Sequence, residues 1–403
     1  LATHLVGVTL IDGVQDRPLR PATVVFEEDR ITYAGRAQDA PQPAPDDRVL
    51  DLSGAYVLPG LINAHEHLDT RHGTRSFQER AAEPTEYLAL RAARNCLSAL
   101  LEGVTTVRDC GGKGGTALWV RRAVEAGLLK GPRVFACGQP IAMTGGHGDE
   151  ICLVADGADA VRHAARKLIR AGASFIKCMA SGGYVTRGYD DPHSPQYTVE
   201  ELRAAFEEAH WAGRRTTVHA HPPVAIRRAV EAGVDCIEHA GLVDRPTAEF
   251  LAERGVPVVP TLAESWVIAE RGEALGRPRW LVEETRAHLD ERMERFGYLV
   301  QAGVELGCGT DVAPFMWEEM LLMHQGGLSP MQVIQAATRV NAEILGVGDR
   351  TGTVEPGKWA DLVVLSDDPL DDLRAFQQVS LVVKGGEVYE PAALRAAMGR
   401  IPL

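Results

Sequence analysis

The sequence predicts an α/β fold: a (β/α)8 TIM barrel with a small β-sandwich domain formed by both chain ends. Three observations predict it. From residue 58 onward, amphipathic helical stretches alternate with short β-branched runs, and alternating β and α implies a parallel sheet. Each helical stretch stops near a glycine, the residue that most readily takes the left-handed conformation just past a helix end. The segments before and after this region read as strands, each set too short to bury much apolar surface alone.

In chain order, Val6–Ile11 is a strand running into an Asp12-Gly13 turn, Ala22–Phe26 and Arg30–Gly35 continue the β pattern, and Pro41–Pro45 is a loop. The first barrel strand is expected over 57–63. Helices are expected over 84–102, 116–129, 157–171, 199–212, 223–232, 246–254 and about 279–302. Strands follow them at 104–107, 133–136, 174–177, 216–219, 234–239, 256–259 and 304–307. Eight such repeats fit a closed barrel of roughly 250 residues or more. Helices at 317–326 and 330–346 close it, and β returns over 353–365 and 379–386. The expected division is therefore a barrel over 58–351 and a composite β-sandwich from 1–57 plus 352–403. An open doubly wound sheet would usually carry a glycine-rich phosphate loop after its first strand. Here that strand ends in His65-Glu66-His67 instead.

The 403 residues are 45% hydrophobic and 24% charged, as in a globular protein, and exceed one ordinary small domain. A net charge of −13 argues against nucleic acid and anionic membranes as partners. No apolar run approaches the roughly 20 residues that span a bilayer. The seven cysteines are odd in number, contain no C-x-x-C pair and mostly sit in apolar runs. They read as small core residues of a protein from a reducing compartment, the cytoplasm. The chain begins without Met or a signal core, which leaves a removed leader open. A homo-oligomer is compatible with the sequence but not readable from it.

Barrel enzymes place their chemistry at the C-terminal ends of strands. Those ends carry His65 and His67 on strand 1, Lys177 on strand 4, His219 on strand 5, His239 on strand 6 and Asp311 after strand 8. In a strand, residues two apart share a face, so His65 and His67 present two imidazoles together with Glu66 turned away. Imidazoles and a carboxylate suit Zn2+ or a similar divalent ion. A lysine with its ordinary pKa around 10.4 is cationic and cannot ligate. After reaction with CO2 it becomes a carbamate, whose two oxygens can bridge ions about 3.5–4 Å apart. The other reading of Lys177 is a substrate-binding or ion-paired lysine.

This ordered set, with the closing piece Gly352–Leu365, resembles the amidohydrolase superfamily over nearly the whole chain. Thr144–Asp149, Ile176–Gly183 and Val234–His239 are most similar to its prolidase-like, imidazolonepropionase-related branch. The resemblance implies two divalent metal ions, Zn2+ first among Zn2+, Mn2+ and Co2+. His65, His67 and Asp311 would hold the more buried ion and His219 and His239 the second. Lys177, as N6-carboxylysine, would bridge both together with a hydroxide. It also implies hydrolysis of an amide bond in a small molecule, a dipeptide or N-acyl amino acid. Asp311 would act as catalytic general acid and base. Lactone, cyclic-imide or other small-amide hydrolysis on the same metals is the alternative. Deamination fits worst: such enzymes usually carry a catalytic Glu three residues after the strand-5 histidine, where this chain has Pro222.

Substrate contacts are expected from His147 in its Gly-rich loop, from Tyr184 and Arg187 on the loop after Lys177, and from His221. Arg187 is placed there as a carboxylate clamp, and His72 as a further substrate-facing residue. Arg108 and Asp109, at the end of strand 2, are expected to form an internal ion pair.

Overall fold

The structure is a computed structural model that describes residues 1–70, 77–184, 190–312 and 315–398. The chain opens with five strands, β1 (Ala2–Leu10), β2 (Leu19–Glu27), β3 (Arg30–Arg36), β4 (Arg48–Asp51) and β5 (Tyr56–Pro59). One residue later β6 (Leu61–Glu66) begins the barrel. It is followed by β7 (Val104–Asp109), β8 (Arg133–Ala136), β9 (Ile141–Ala142), β10 (Leu153–Val154), β11 (Phe175–Met179), β12 (Arg215–Ala220), β13 (Cys236–His239) and β14 (Val258–Val259). The last strands are β15 (Leu362–Leu365), β16 (Val379–Lys384) and β17 (Glu387–Tyr389).

The barrel strands pair in parallel: β6 with β7 and β7 with β8, then β9 through β11, β12 and β13 to β14. Every residue of β7, β11 and β13 is buried, the pattern of parallel strands covered on both faces. Barrel strand 3 is split into β8 and β9, with Gly138 at φ 82° and Pro140 between them. The Ser174 N–H donates to the Ala136 carbonyl (2.7 Å) and joins the two groups of strands.

The eighth strand differs from the regular run expected at 304–307. It is an extended segment held by single bridges, Val258 to Leu306 and Glu66 to Asp311. A side chain completes its pairing. Asn341 is fully buried; its Nδ2 donates to the Ile62 carbonyl (2.6 Å) and the Cys308 carbonyl (2.7 Å), and its Oδ1 accepts from Cys308 N–H (3.0 Å). This amide adds to the backbone bonds that tie strand 1 to strand 8, among them Ala64 N–H to the Cys308 carbonyl (3.0 Å) and Asp311 N–H to the His65 carbonyl (2.8 Å).

Gly172, Gly233, Gly255 and Gly303 cap their helices in the left-handed conformation, as the sequence predicts. The helix expected over 279–302 is two helices, Arg279–Ala287 and Leu289–Ala302. His288 breaks it: its Nδ1 takes the Glu284 carbonyl at 2.8 Å, in competition with the helix's own backbone bonds. A helix not foreseen, Leu262–Arg271, follows β14.

The outer strands form one eight-stranded sheet in the order β17-β16-β15-β5-β1-β2-β3, with β4 against β1. Its core contains Leu5, Val24, Phe26, Val57, Leu362 and Val364. Strands from both chain ends meet where β15 pairs antiparallel with β5, Leu362 opposite Pro59. All seven cysteines are buried and unpaired. Among the described residues, no helix is long and apolar enough to cross a membrane.

Asn341→Ala removes three hydrogen bonds to buried backbone groups; the Cys308 carbonyl keeps the Ala64 N–H, but the Cys308 N–H loses its partner. An unsatisfied group of this kind costs about 1–3 kcal/mol. The variant is expected to melt several degrees below the parent in scanning calorimetry; an unchanged Tm would mean that the amide contributes little to holding strands 1 and 8 together.

Candidate metal centre and active site

The strand ends deliver His65, His67, Lys177, His219, His239 and Asp311 to one rim, and all but His65 line a single cleft. His65 lies fully buried beneath it, its Nε2 3.3 Å from Lys177 Nζ and 3.8 Å from Asp311 Oδ1. Asp311 also receives His67 Nε2 at 3.4 Å and His239 Nδ1 at 4.0 Å. His65, His239 and Asp311 offer ligand atoms within 4.8 Å of one another.

Each of the four imidazoles has one ring nitrogen already engaged. His65 Nδ1 donates to Glu238 Oε2 (2.7 Å), and His67 Nδ1 donates to the Gly111 carbonyl (2.6 Å). His219 Nε2 donates to the Gly182 carbonyl (3.0 Å), and His239 Nδ1 meets Thr261 Oγ1 (2.7 Å). A histidine that donates to a carboxylate or carbonyl, as His65, His67 and His219 do, keeps a fixed tautomer, with the other nitrogen unprotonated and available to a metal. Burial lowers the pKa of all four, helped at His67 by the Arg80 charge and at His219 and His239 by neighbouring imidazoles. Neutral imidazoles with a carboxylate fit a divalent transition metal, so the donor set passes a chemical test for one.

Strand geometry alone would not aim all of them inward. His239 directly follows Glu238, and alternation would send one of the two outward. His239 has φ 70° and Asp311 φ 61°, as do Ala240 (51°) and Thr261 (50°) on neighbouring strand ends. These left-handed residues turn the chain back toward the axis as each strand finishes, and such conformations cluster where function holds them.

Arg108 and Asp109 do not pair with each other, contrary to expectation. Successive strand residues face opposite ways. Arg108 points inside, to Glu238 Oε1 (2.5 Å) and the Ala64 carbonyl, while Asp109 faces out and accepts the Leu68 and Gly111 N–H groups. Burial alone would raise the Glu238 carboxyl, but the Arg108 guanidinium and His65 hold it down to about 2. Glu238 therefore stays ionised behind His65. His65, Cys110 and Glu238 form a second close group, yet burial pushes the Cys110 thiol up and Glu238 is committed to Arg108. That trio supports the rim rather than forming a separate metal site.

Three expected substrate contacts line the same cleft: His147, Tyr184 and His221. His147 Nδ1 donates to Asp190 Oδ2 (2.7 Å), and its ring stacks on His219 at 4.2 Å. The Tyr184 and His221 rings meet edge-on at 4.9 Å. Arg187 and His72 lie outside the described residues. Glu238, Thr261, Asp190 and Arg292 also serve this rim, and in the sequence only the Glu238-His239 adjacency hints at any of them.

The family model described as "Amidohydrolase family" matches residues 56–389. The chain is 32% identical to an ochratoxinase from Aspergillus niger, over 94% of this chain and 85% of that one. It superposes on a prolidase solved with N-methylphosphonate-L-proline at a TM-score of 0.89, with 32% identity, 97% of this chain and all of that one covered. A Xaa-Pro dipeptidase solved with methionine in its active site gives 0.88 and 30%, over 97% of this chain and 100% of that one. With this barrel and this rim of histidines already in place, the chain belongs to the amidohydrolase family and is a hydrolase.

Proposed function

We propose that the protein is a binuclear metal-dependent hydrolase that cleaves the amide bond of dipeptides or N-acyl amino acids. The observation that carries the reading is the set of four imidazoles, each locked on one side, around Asp311 and Lys177. His65, His67 and Asp311 would hold one ion, His219 and His239 the other, with Lys177 between them. When bound, such a pair supplies a nucleophile from water at neutral pH and polarises the scissile carbonyl.

Lys177 suits a carbamate. It is 1% exposed, and the neighbour within hydrogen-bond distance of its Nζ is His65 Nε2. Among the described residues Lys177 makes no ion pair, and a charge buried without one is costly. The Nζ lone pair forms a bond to the carbon of CO2, a proton leaves to solvent, and the buried group becomes an anion. Asp311 takes a proton from the attacking water and delivers it to the departing amine, a role its place among His65, His67 and His239 supports. His147, oriented by Asp190 against His219, faces the substrate with its remaining ring nitrogen.

A panel of dipeptides, N-acyl amino acids and lactones, offered to metal-loaded protein, tests the reaction. Release of free amino acids is expected; turnover of lactones alone, or ammonia as the only product, would overturn it. Lys177→Ala is expected to hold one metal equivalent or fewer by elemental analysis and to lose most activity, whereas two retained equivalents would remove the bridge. Glu238→Gln keeps a hydrogen-bonding group behind His65 but discards the charge. Metal affinity is expected to weaken about 10–100-fold in a chelator competition.

A further inference from the structure

The cleft beyond the metal rim holds two neighbouring polar atoms, His221 Nδ1 and Arg292 Nε, that are buried with no hydrogen-bond partner among the described residues. Both face the backbone of Gly241: a methyl placed there would lie 2.9 Å from His221 Nδ1 and 3.7 Å from Arg292 Cζ. Glycine keeps that space open. The Arg292 guanidinium makes no hydrogen bond or ion pair among the described residues, and it lines the same cleft as His147, Lys177 and Asp311.

Beyond the metal rim, Glu284 also lines the cleft and makes no ion pair among the described residues, while the remaining charges of the wall are committed. Glu264 is paired with Arg277 (3.0 Å). Glu291 is paired with Arg295 (2.5 Å), whose remaining donors take the Leu242 and Val243 carbonyls. Buried polar groups are normally satisfied, and two that converge on one open space call for a ligand. A planar guanidinium beside a ring N–H matches a carboxylate.

We propose that Arg292 and His221 bind the free carboxylate of the substrate's leaving amino acid in the niche over Gly241. The inference rests on the amide-hydrolase reading and deepens it: it assigns the residues that read the free carboxylate which dipeptides and N-acyl amino acids share. Simple anilides, ureas and C-terminally amidated peptides lack the group that the niche takes.

The test uses the panel compound cleaved best and the same compound with its carboxylate converted to carboxamide. The parent enzyme is expected to prefer the acid by about 100-fold or more in kcat/KM. Arg292→Met should lose on the order of 100-fold on the acid, mainly through KM, and less than about threefold on the carboxamide. Arg292→Lys, which keeps the charge without the fork, should retain an intermediate preference. Equal losses on both compounds, or a preference that survives Arg292→Met, would overturn the niche. If the parent cleaves carboxamides as fast as acids, the amide-hydrolase reading stands and the niche falls. If it cleaves no amide at all, calorimetric titration of the metal-loaded protein with free L-proline, L-arginine and L-phenylalanine decides. Binding weakened by Arg292→Met supports the niche, and binding indifferent to that change, or absent, overturns it.

Discussion

A single ionised carboxylate inside the barrel organises the rim. Glu238 is fully buried, yet it accepts from Arg108 on one side, from His65 on the other, and from the Thr217 hydroxyl. A buried charge is tolerated only when paired and hydrogen-bonded, and breaking such a pair leaves an uncompensated ion. The three residues come from β7, β6 and β13, so the pairing sets those strands against one another. It also holds the His65 tautomer in which Nε2 faces Lys177 and Asp311.

Four neutral imidazoles then crowd together. The His219 and His239 ring centroids are 4.6 Å apart, and those of His65 and His239 are 4.8 Å apart. Cationic rings at that spacing would repel, and burial adds to the cost of charging any of them. The barrel therefore carries a concentrated set of uncharged donors at neutral pH, the state that metal binding requires. The clustered left-handed residues serve the same end, because they let strands that leave the barrel in different directions turn their last side chains onto one point.

Much of this is legible in the sequence because the repeat is regular. Helix, glycine and β-branched run recur, so the last residue of each strand can be found by counting, and His65, His67, Lys177, His219 and His239 stand at those places. Asp311, four residues past the run expected at 304–307, is read as the end of the last strand, and the family resemblance supplies its role. What stays hidden is whatever acts across the sequence. Arg108 beside Asp109 looks like a local pair, and only the closed barrel brings it to Glu238, 130 positions away. Asn341 looks like an ordinary helix residue, yet its amide bridges strands 1 and 8. Arg292 sits in a helix among Glu291, Glu294 and Arg295, a pattern that reads as a solvated face until the fold turns Glu291, Arg292 and Arg295 onto the cleft.

The passage from β5 to β6 through Gly60 has a consequence for how the molecule is made. The strand that carries His65 and His67 continues one from the outer sheet, and that outer stretch finds its antiparallel neighbour only in β15, some 300 positions downstream. Gly60 permits the crossing because a side chain there would run into Thr105. Contacts spanning so much of the chain form late. During synthesis the two leading histidines emerge long before anything can fix their position, and the ribosome must deliver most of the polypeptide before the cage around them can be finished.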